Sequence, residues 1–237
     1  MTMTTASTDL FSALPRHIAF IADGNRRWAK AHSTTAEEGF RQGAVAVHRV
    51  LAHCRSLGVE TASVFLMSDR NFERDPEEVA VLVDVIADLV DTEAAASTGP
   101  VRILSSGATM PARAPQFLKD SMRRAEDRTR HRTGMTVCFG IGYDGHADIT
   151  QAMYQAAATP GDGRKMPSID DYLCTAGLPD PDLIIRTSGE RRLSGFLLWQ
   201  AADSTLHFDD RLWPDYDVTA LVEALAVHST QIRTYGG

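Results

Sequence analysis

The chain has 237 residues, a length typical of one domain or at most two small ones. Its net charge of -7 argues against general nucleic-acid binding, because neutralising phosphates requires a surplus of Lys and Arg. Cys54, Cys138 and Cys174 are widely spaced and odd in number, which favours reduced, mostly buried thiols over a disulfide framework. Without a signal-peptide pattern or an apolar run near ~20 residues, we expect a cytoplasmic protein with at most peripheral membrane contact.

Short β-rich runs alternate with longer helical patterns, which predicts one α/β domain with a largely parallel six-stranded sheet flanked by helices. In chain order, strands are expected at 17–22, 60–67, 101–105, 135–141, 182–186 and 196–200. Helices are expected at 23–30, 39–57, 76–96, 115–132, 147–158, 168–174 and 218–234. Residues 159–165, rich in Gly and Pro, are predicted to form a loop, and residues 1–16 a flexible N-terminal segment.

A polar segment follows the first predicted strand, and Asp23 stands where ligands bind at the edge of a parallel sheet. Gly24 allows a backbone to approach closely, and the next helix would offer free N–H groups to an anion. With Arg26 and Arg27 the segment suits a diphosphate, and Asp23 suits a Mg²⁺ ion bridging to phosphate oxygens. The alternative makes Asp23 only a helix N-cap, with Gly24 and Asn25 as turn residues.

A second polar segment follows the strand predicted at 182–186. Arg186, Arg192 and Ser194 can converge on one anion there, since guanidinium groups match phosphate oxygens in bidentate geometry. Taken alone, the segment is more typical of a solvated loop, and it becomes a site only if it lies beside Asp23.

A third polar segment follows the second predicted strand. In it, Arg74 could hold phosphate, while Ser68 and Asn71 could form a hydrogen-bonded pair near a reacting carbon. Taken alone, the segment favours a turn that starts the next helix, with Asn71 and Asp75 as caps.

Separated motifs, in this order, resemble the cis-prenyltransferases, the undecaprenyl diphosphate synthase family. They are residues 17–30 (HIAFIADGNRRWAK), 185–194 (IRTSGERRLS), 196–200 (FLLWQ), 212–215 (LWPD) and 233–237 (RTYGG). The resemblance implies a cis-prenyltransferase-like catalytic domain over residues 17–237, with a hydrophobic tunnel for which helix 76–96 is a natural wall. It also implies isoprenoid diphosphate substrates, Mg²⁺ and, usually, a homodimer.

The resemblance assigns roles to individual positions. Asp23 would bind Mg²⁺ and assist departure of an allylic diphosphate, while Ser68 and Asn71 would serve the final removal of a proton. The allylic diphosphate would be held by Gly24, Asn25, Arg26, Arg27 and Arg74, and that of the second substrate by Arg186, Arg192 and Ser194. Trp28, Arg70 and Phe72 complete the predicted substrate-binding set, and Arg233 would reach across the dimer interface.

The sequence departs from the family pattern mainly on the side of the second substrate. Thr205 stands where the family usually has a Glu that contacts magnesium, and Arg70 and Phe72 replace a Glu and a Trp. Because a Thr cannot replace a carboxylate as a strong Mg²⁺ ligand, we expect the second substrate to be bound differently from isopentenyl diphosphate. This favours irregular head-to-middle coupling of a C5 or C10 donor with dimethylallyl diphosphate, giving a branched, lavandulyl-type diphosphate.

Other functions stay open. One is regular head-to-tail synthesis of a short-chain Z-prenyl diphosphate from isopentenyl diphosphate. Another is a non-catalytic partner subunit, although such subunits typically lack the early Asp and its neighbouring arginines. A metal-dependent phosphohydrolase would need several clustered carboxylates, and only Asp23 is well placed for that role.

Overall fold

The computed structural model describes residues 14–105, 114–159 and 167–231. All strand pairs are parallel, and the six strands form one sheet in the order β3-β4-β2-β1-β5-β6. The strands are β1 (His17–Ile21), β2 (Thr61–Ser68), β3 (Val101–Leu104), β4 (Thr136–Tyr143), β5 (Leu183–Arg186) and β6 (Thr205–Phe208). The helices are α1 (Asn25–Ala31), α2 (Ala36–Leu57), α3 (Pro76–Ala96), α4 (Gln116–Thr129), α5 (Gly145–Ala158) and α6 (Val218–Ser229).

The predicted α/β class, with a parallel six-stranded sheet flanked by helices, is confirmed. Helix α3 has the predicted bounds, because Asp75 accepts hydrogen bonds from two backbone N–H groups and Pro76 stands at its first position. The helix predicted at 168–174 is instead a short 3₁₀ turn, Ile169–Asp171. The helix predicted at 218–234 ends earlier than predicted, at Ser229. Most of the loop predicted at 159–165 and most of segment 1–16 lie outside the described residues.

The strand predicted at 196–200 is wrong, and the sixth strand is β6 instead. Residues 194–203 form successive turns, in which Ser194 and Leu197 have positive φ angles of 51° and 46° that are incompatible with a strand. The apolar run is there because Phe196 packs under the sheet and stacks on Phe65, with ring centroids 4.7 Å apart. A short apolar run of this kind does not distinguish a buried strand from a buried turn.

The sheet is covered on both faces, as expected for parallel strands. Alternate residues of β1 enter two different apolar clusters: Ile18 and Phe20 pack with helices α2, α3, α4 and α6, while Ala19 and Ile21 pack with Phe196 on the opposite face. Cys54 and Cys138 are buried, and no cysteine of the described residues forms a disulfide. No helix in the described part of the chain combines the length and apolarity that crossing a membrane requires.

Strand β1 lies in the middle of the sheet, where the direction of winding reverses. On one side of β1 the chain adds β2, then β3 at the edge and then β4 between them, and on the other side it adds β5 and β6. In open parallel sheets, the crevice at the carboxyl ends of the strands beside such a switch binds ligands. The polar segments that follow β1, β2 and β5 therefore meet at one edge of the sheet.

Candidate active site

The backbone of Asp23, just after β1, is held by two other segments. The Asp23 N–H donates to Thr187 Oγ1 at 3.1 Å, and the Thr187 hydroxyl donates back to Asp23 O at 2.6 Å. The backbone N–H of Trp213 also donates to Asp23 O, at 3.0 Å. Thr187 and Trp213 lie inside the motifs at 185–194 and 212–215, but their sequence positions alone did not reveal this role.

The side chain of Asp23 contacts the segment that follows β5. Arg186 Nη2 donates to Asp23 Oδ2 at 2.8 Å, and Arg186 Nη1 donates to Ser194 Oγ and to Arg192 O, each at 2.6 Å. Only 4% of the Arg186 side chain is exposed, whereas Asp23 is 37% exposed. The buried guanidinium group of Arg186 therefore joins the predicted side chains of Asp23 and Ser194, which come from two distant segments of the sequence.

The alternative in which Asp23 only caps helix α1 is wrong. The N-cap is Gly24, which has a φ of 113° and makes no side-chain capping bond. A positive φ of this size strains residues with a side chain, so glycine suits the turn between β1 and α1. The Asp23 carboxylate is consequently directed toward Arg186.

The other predicted arginines surround this pair. A single carboxylate, that of Glu78, contacts both Arg26 Nη1 at 3.4 Å and Arg74 Nη1 at 3.0 Å. Arg27 Nη1 donates to Ser188 O at 2.9 Å, and Arg192 forms an ion pair with Glu190. The cationic groups thus come from α1, from the segment between β2 and α3 and from the loop after β5.

A cavity of about 570 Å³ opens at this edge of the sheet. Most of the predicted site residues line it: Asp23, Gly24, Asn25, Arg26, Arg27, Ser68, Asn71, Arg74, Arg186, Arg192 and Ser194. Its lining also contains residues that sequence reasoning did not assign to the site, namely Glu190 and the apolar Ile21, Ala22, Phe40, Phe65, Leu66, Met67 and Leu82. The cavity therefore combines cationic and apolar walls, although the predicted long tunnel stays a prediction.

The structure does not bring all predicted residues to the cavity. Trp28 stacks on His32 and donates from Nε1 to Asp215 Oδ1 at 2.7 Å, away from the lining. Arg70 is exposed on the 3₁₀ turn after β2, and Phe72 is buried in the larger apolar cluster. Arg233 lies outside the described residues.

For Ser68 and Asn71 the sequence left two alternatives, a role in the site and a role in the turn before α3. The backbone N–H of Ser68 donates to Asn71 Oδ1 at 3.0 Å, so Asn71 stabilises the turn before α3. Asp75 caps α3 as well, through the N–H groups of Glu77 and Glu78. Both Ser68 and Asn71 nevertheless line the cavity, so a structural role and a site role coexist.

Thr205 lies at the end of the sheet opposite to the site. It starts β6 beside Leu183, whereas Arg186, three residues later in β5, pairs with Phe208. With a strand rise of about 3.3 Å per residue, Thr205 is about 10 Å along the strand from the cavity edge. Its hydroxyl is 3.1 Å from His228 Nδ1, and it does not line the cavity within one chain.

The acidic groups of the cavity suit a magnesium ion bound together with substrate phosphates. Mg²⁺ is commonly held by one or two carboxylates, with phosphate and water oxygens completing its shell. The Asp23 carboxylate is partly exposed, and its Oδ1 has a distant contact of 4.0 Å with Arg27 Nη2. Among residues 14–105, 114–159 and 167–231, no group of three or more His, Cys, Asp or Glu side chains could hold a metal without such a substrate.

Comparison with known proteins gives a consistent result. The undecaprenyl diphosphate synthase family model matches residues 21–236. The chain is 38% identical to a (2Z,6E)-farnesyl diphosphate synthase of Mycobacterium tuberculosis, over 95% of this chain and 89% of that protein. It is also 38% identical to an isoprenyl transferase of Streptococcus pneumoniae, over 94% of this chain and 92% of that protein.

Among solved structures, the chain matches lavandulyl diphosphate synthase from Lavandula x intermedia in complex with dimethylallyl diphosphate. The TM-score is 0.85 at 30% identity, covering 94% of this chain and 98% of that one. The family match covers most of the chain, and the fold agrees with that of the solved structure. The chain belongs to the undecaprenyl diphosphate synthase family and is a prenyltransferase.

Proposed function

We propose that this protein condenses an allylic C5 or C10 prenyl diphosphate with a second, C5 prenyl diphosphate, with Mg²⁺ as its cofactor. The observation that carries the proposal is the contact of Asp23 with Arg186 inside a cavity that also has apolar walls. Such a cavity suits an anionic diphosphate attached to a hydrocarbon, because the guanidinium groups match phosphate oxygens and the apolar walls accept the prenyl chain.

Departure of the allylic diphosphate requires neutralisation of the negative charge that grows on it. In this proposal Arg26, Arg27 and Arg74 hold the leaving group, and Asp23 would hold a Mg²⁺ ion that would supply further positive charge. The electrons of the breaking carbon–oxygen bond leave with the diphosphate. The allylic carbon then accepts the electron pair of the second substrate's double bond, which forms the new carbon–carbon bond.

The apolar walls of the cavity protect the cationic carbon from water. Phe40 of α2, Leu82 of α3 and Met67 of β2 belong to the larger apolar cluster, and Phe65 of β2 belongs to the smaller cluster on the opposite face of the sheet. The reaction ends when the cationic coupling product loses a proton, for which the released diphosphate supplies the base, and Ser68 and Asn71 are proposed to assist this transfer. Arg186, Arg192 and Ser194 are proposed to hold the second diphosphate.

We propose that the coupling is irregular, with dimethylallyl diphosphate as acceptor and a branched, lavandulyl-type product. One support is that Thr205 and Arg70 each stand where the family pattern has a Glu, so that carboxylates are lost and a cation is gained. The other is the likeness to lavandulyl diphosphate synthase. Regular coupling is the second candidate, favoured by the greater identity to the (2Z,6E)-farnesyl diphosphate synthase. Since neither Thr205 nor Arg70 lines the cavity, product analysis rather than geometry must decide.

We also propose a homodimer. Strand β6 is at the edge of the sheet, and an exposed edge strand readily pairs with another chain. Leu206 on β6, Trp199 before it and Val227 on α6 are large apolar side chains that are more than 40% exposed. Light scattering of the purified protein measures the mass directly, and a monomer would contradict this part of the proposal.

The test of function is product analysis by mass spectrometry and NMR. Purified protein with Mg²⁺ receives dimethylallyl or geranyl diphosphate, each with and without isopentenyl diphosphate. A branched product formed without isopentenyl diphosphate establishes irregular coupling. A linear Z-product with a strict need for isopentenyl diphosphate establishes regular coupling, and absence of turnover in every mixture contradicts both.

A further inference from the structure

Asn25 is a cavity residue with an unusual arrangement of its side-chain amide. Its Nδ2 donates to Ala22 O at 3.2 Å, in the turn that follows β1. Its Oδ1 is buried and has no hydrogen-bond partner among the described residues. A buried acceptor without a partner is costly, and each case in a native protein calls for an explanation.

The explanation lies on helix α2, where two glycines one turn apart face the start of α1. A Cβ atom added at Gly39 would lie 2.5 Å from Asn25 O, and one added at Gly43 would lie 2.2 Å from Asn25 Oδ1. Both distances are well below any real carbon–oxygen contact. The amide oxygen of Asn25 thus occupies the space that a side chain at position 43 would take.

This packing has a chemical consequence for the cavity. An amide has an acceptor oxygen and a nitrogen with two N–H groups. With Oδ1 turned against α2, the oxygen is kept away from the cavity, and the nitrogen, which uses one N–H for Ala22 O, has a second to offer. An anionic diphosphate is attracted by the N–H group and would be repelled by the oxygen.

We infer that Gly43 is a positioning residue for the allylic diphosphate site: its missing side chain lets Asn25 turn its oxygen away and present an N–H group to the diphosphate. The inference rests on the proposed function and deepens it. Gly43 does not line the cavity, yet it would control the orientation of the Asn25 amide, which does. Gly43 is also held by Trp213, whose Nε1 donates to Gly43 O at 2.9 Å and whose Cδ1 would lie 3.3 Å from a Cβ at position 43. The helix therefore cannot shift freely to relieve a clash.

The experiment is a double-mutant cycle with Gly43→Ala, Asn25→Ala and the two together. The affinity for inorganic diphosphate in the presence of Mg²⁺ is measured by calorimetry, beside the melting temperature and the KM for the allylic substrate. Val45→Ala serves as the matched control, since Val45 is on the same helix and half exposed. Losing one hydrogen bond to a charged group typically weakens binding about 10-fold or more.

We expect Gly43→Ala and Asn25→Ala each to weaken diphosphate binding about 10-fold, and the double variant to be no weaker than Asn25→Ala alone. Val45→Ala should bind as the wild type does. Losses that multiply in the double variant, or unchanged binding by Gly43→Ala, would overturn the inference. So would a wild type that does not bind diphosphate.

Two further outcomes keep the test decisive. If Gly43→Ala alone does not fold, the double variant should fold, because Asn25 Oδ1, which the new Cβ would meet, is gone. A double variant that also fails to fold contradicts the inference. If the wild type binds diphosphate and the cycle behaves as expected without any prenyl turnover, the proposed function fails while the role of Gly43 stands.

Discussion

Asp23 and Arg186 are 163 residues apart in the sequence, and their side chains meet at 2.8 Å. The contact follows from the sheet, because Ile21 of β1 pairs with Arg186 of β5 in a parallel register. Asp23 extends just beyond that pair, so its carboxylate reaches the buried guanidinium group. The contact between Asp23 and Arg186 joins the segments that follow β1 and β5 into one site, although each segment alone resembles an ordinary loop.

Replacement of Asp23 by Asn should lower kcat by about 10²- to 10³-fold, since it removes the charge that would hold Mg²⁺ at the leaving group. The fold should survive, because Asn retains an oxygen that accepts from Arg186 Nη2. Steady-state kinetics and thermal melting check the two expectations. Glu190→Gln is the comparison, as Glu190 is the other carboxylate of the cavity, and a larger loss there would move the metal role to Glu190.

Arg186 and Arg192 should respond differently to replacement by Lys. The Arg186 side chain is 4% exposed and binds three groups, whereas that of Arg192 is 62% exposed. A Lys at position 186 cannot reproduce the planar set of donors, so we expect a loss of about 2 kcal/mol in unfolding free energy and a large fall in kcat/KM.

Arg192→Lys, in contrast, should leave the unfolding free energy within about 0.5 kcal/mol and mainly raise KM for the second diphosphate. Denaturant titration together with two-substrate kinetics separates these effects. Equal destabilisation by both variants would show that burial does not distinguish the two arginines.

His17 should make stability depend on pH. Burial lowers its pKa from 6.5 to about 4, partly opposed by the bond to Pro179 O. Nδ1 is 2.7 Å from that carbonyl and so carries the proton, while Nε2 accepts from Ser63 Oγ at 2.8 Å, which satisfies the neutral ring.

Because the unfolded chain binds a proton near pH 6.5 and the folded chain only near 4, His17 destabilises the fold increasingly as pH falls through this window. The loss should reach about 3 kcal/mol near pH 4 and be absent above pH 7. The measurement is the unfolding free energy of wild type and His17→Gln at several pH values. A constant difference between the two proteins across pH 4 to 7 would contradict the assignment.

The buried ion pair between α2 and α3 should matter more for stability than the exposed pairs. The Glu93 side chain is 1% exposed, and it pairs with Arg55 and lies 3.4 Å from His48 Nδ1. Arg55→Met should cost about 3 kcal/mol because it leaves a buried carboxylate without its cation.

A matched control is Arg41→Met on the same helix. Arg41 is 46% exposed and pairs with Glu37, and removing such a surface pair should leave the unfolding free energy nearly unchanged because solvent screens the two charges. The double variant Arg55→Met/Glu93→Met should be more stable than Arg55→Met alone, because no unpaired charge remains. Chemical denaturation gives all of these values, and a double variant less stable than Arg55→Met would refute the explanation.

Much of the site was predictable because its chemistry is local in the sequence. Asp23, Arg26 and Arg27 follow one strand directly, and periodicity placed α3 with its proper bounds. The prediction failed at 196–200, where an apolar run packs through turns, since apolar spacing reports burial and not backbone conformation. It was also incomplete for Thr205, whose position on β6 puts it at the far end of the sheet.

The sequence by itself determined the class of fold and the residue types of the site, because strand and helix periodicities and charged motifs are properties of short segments. Only the tertiary structure decided which of these side chains meet. Strand order and register bring Asp23 to Arg186 and leave Arg70 and Trp28 outside the cavity. Close helix packing at Gly43 likewise sets the orientation of Asn25, since contacts between distant segments depend on how the whole chain packs.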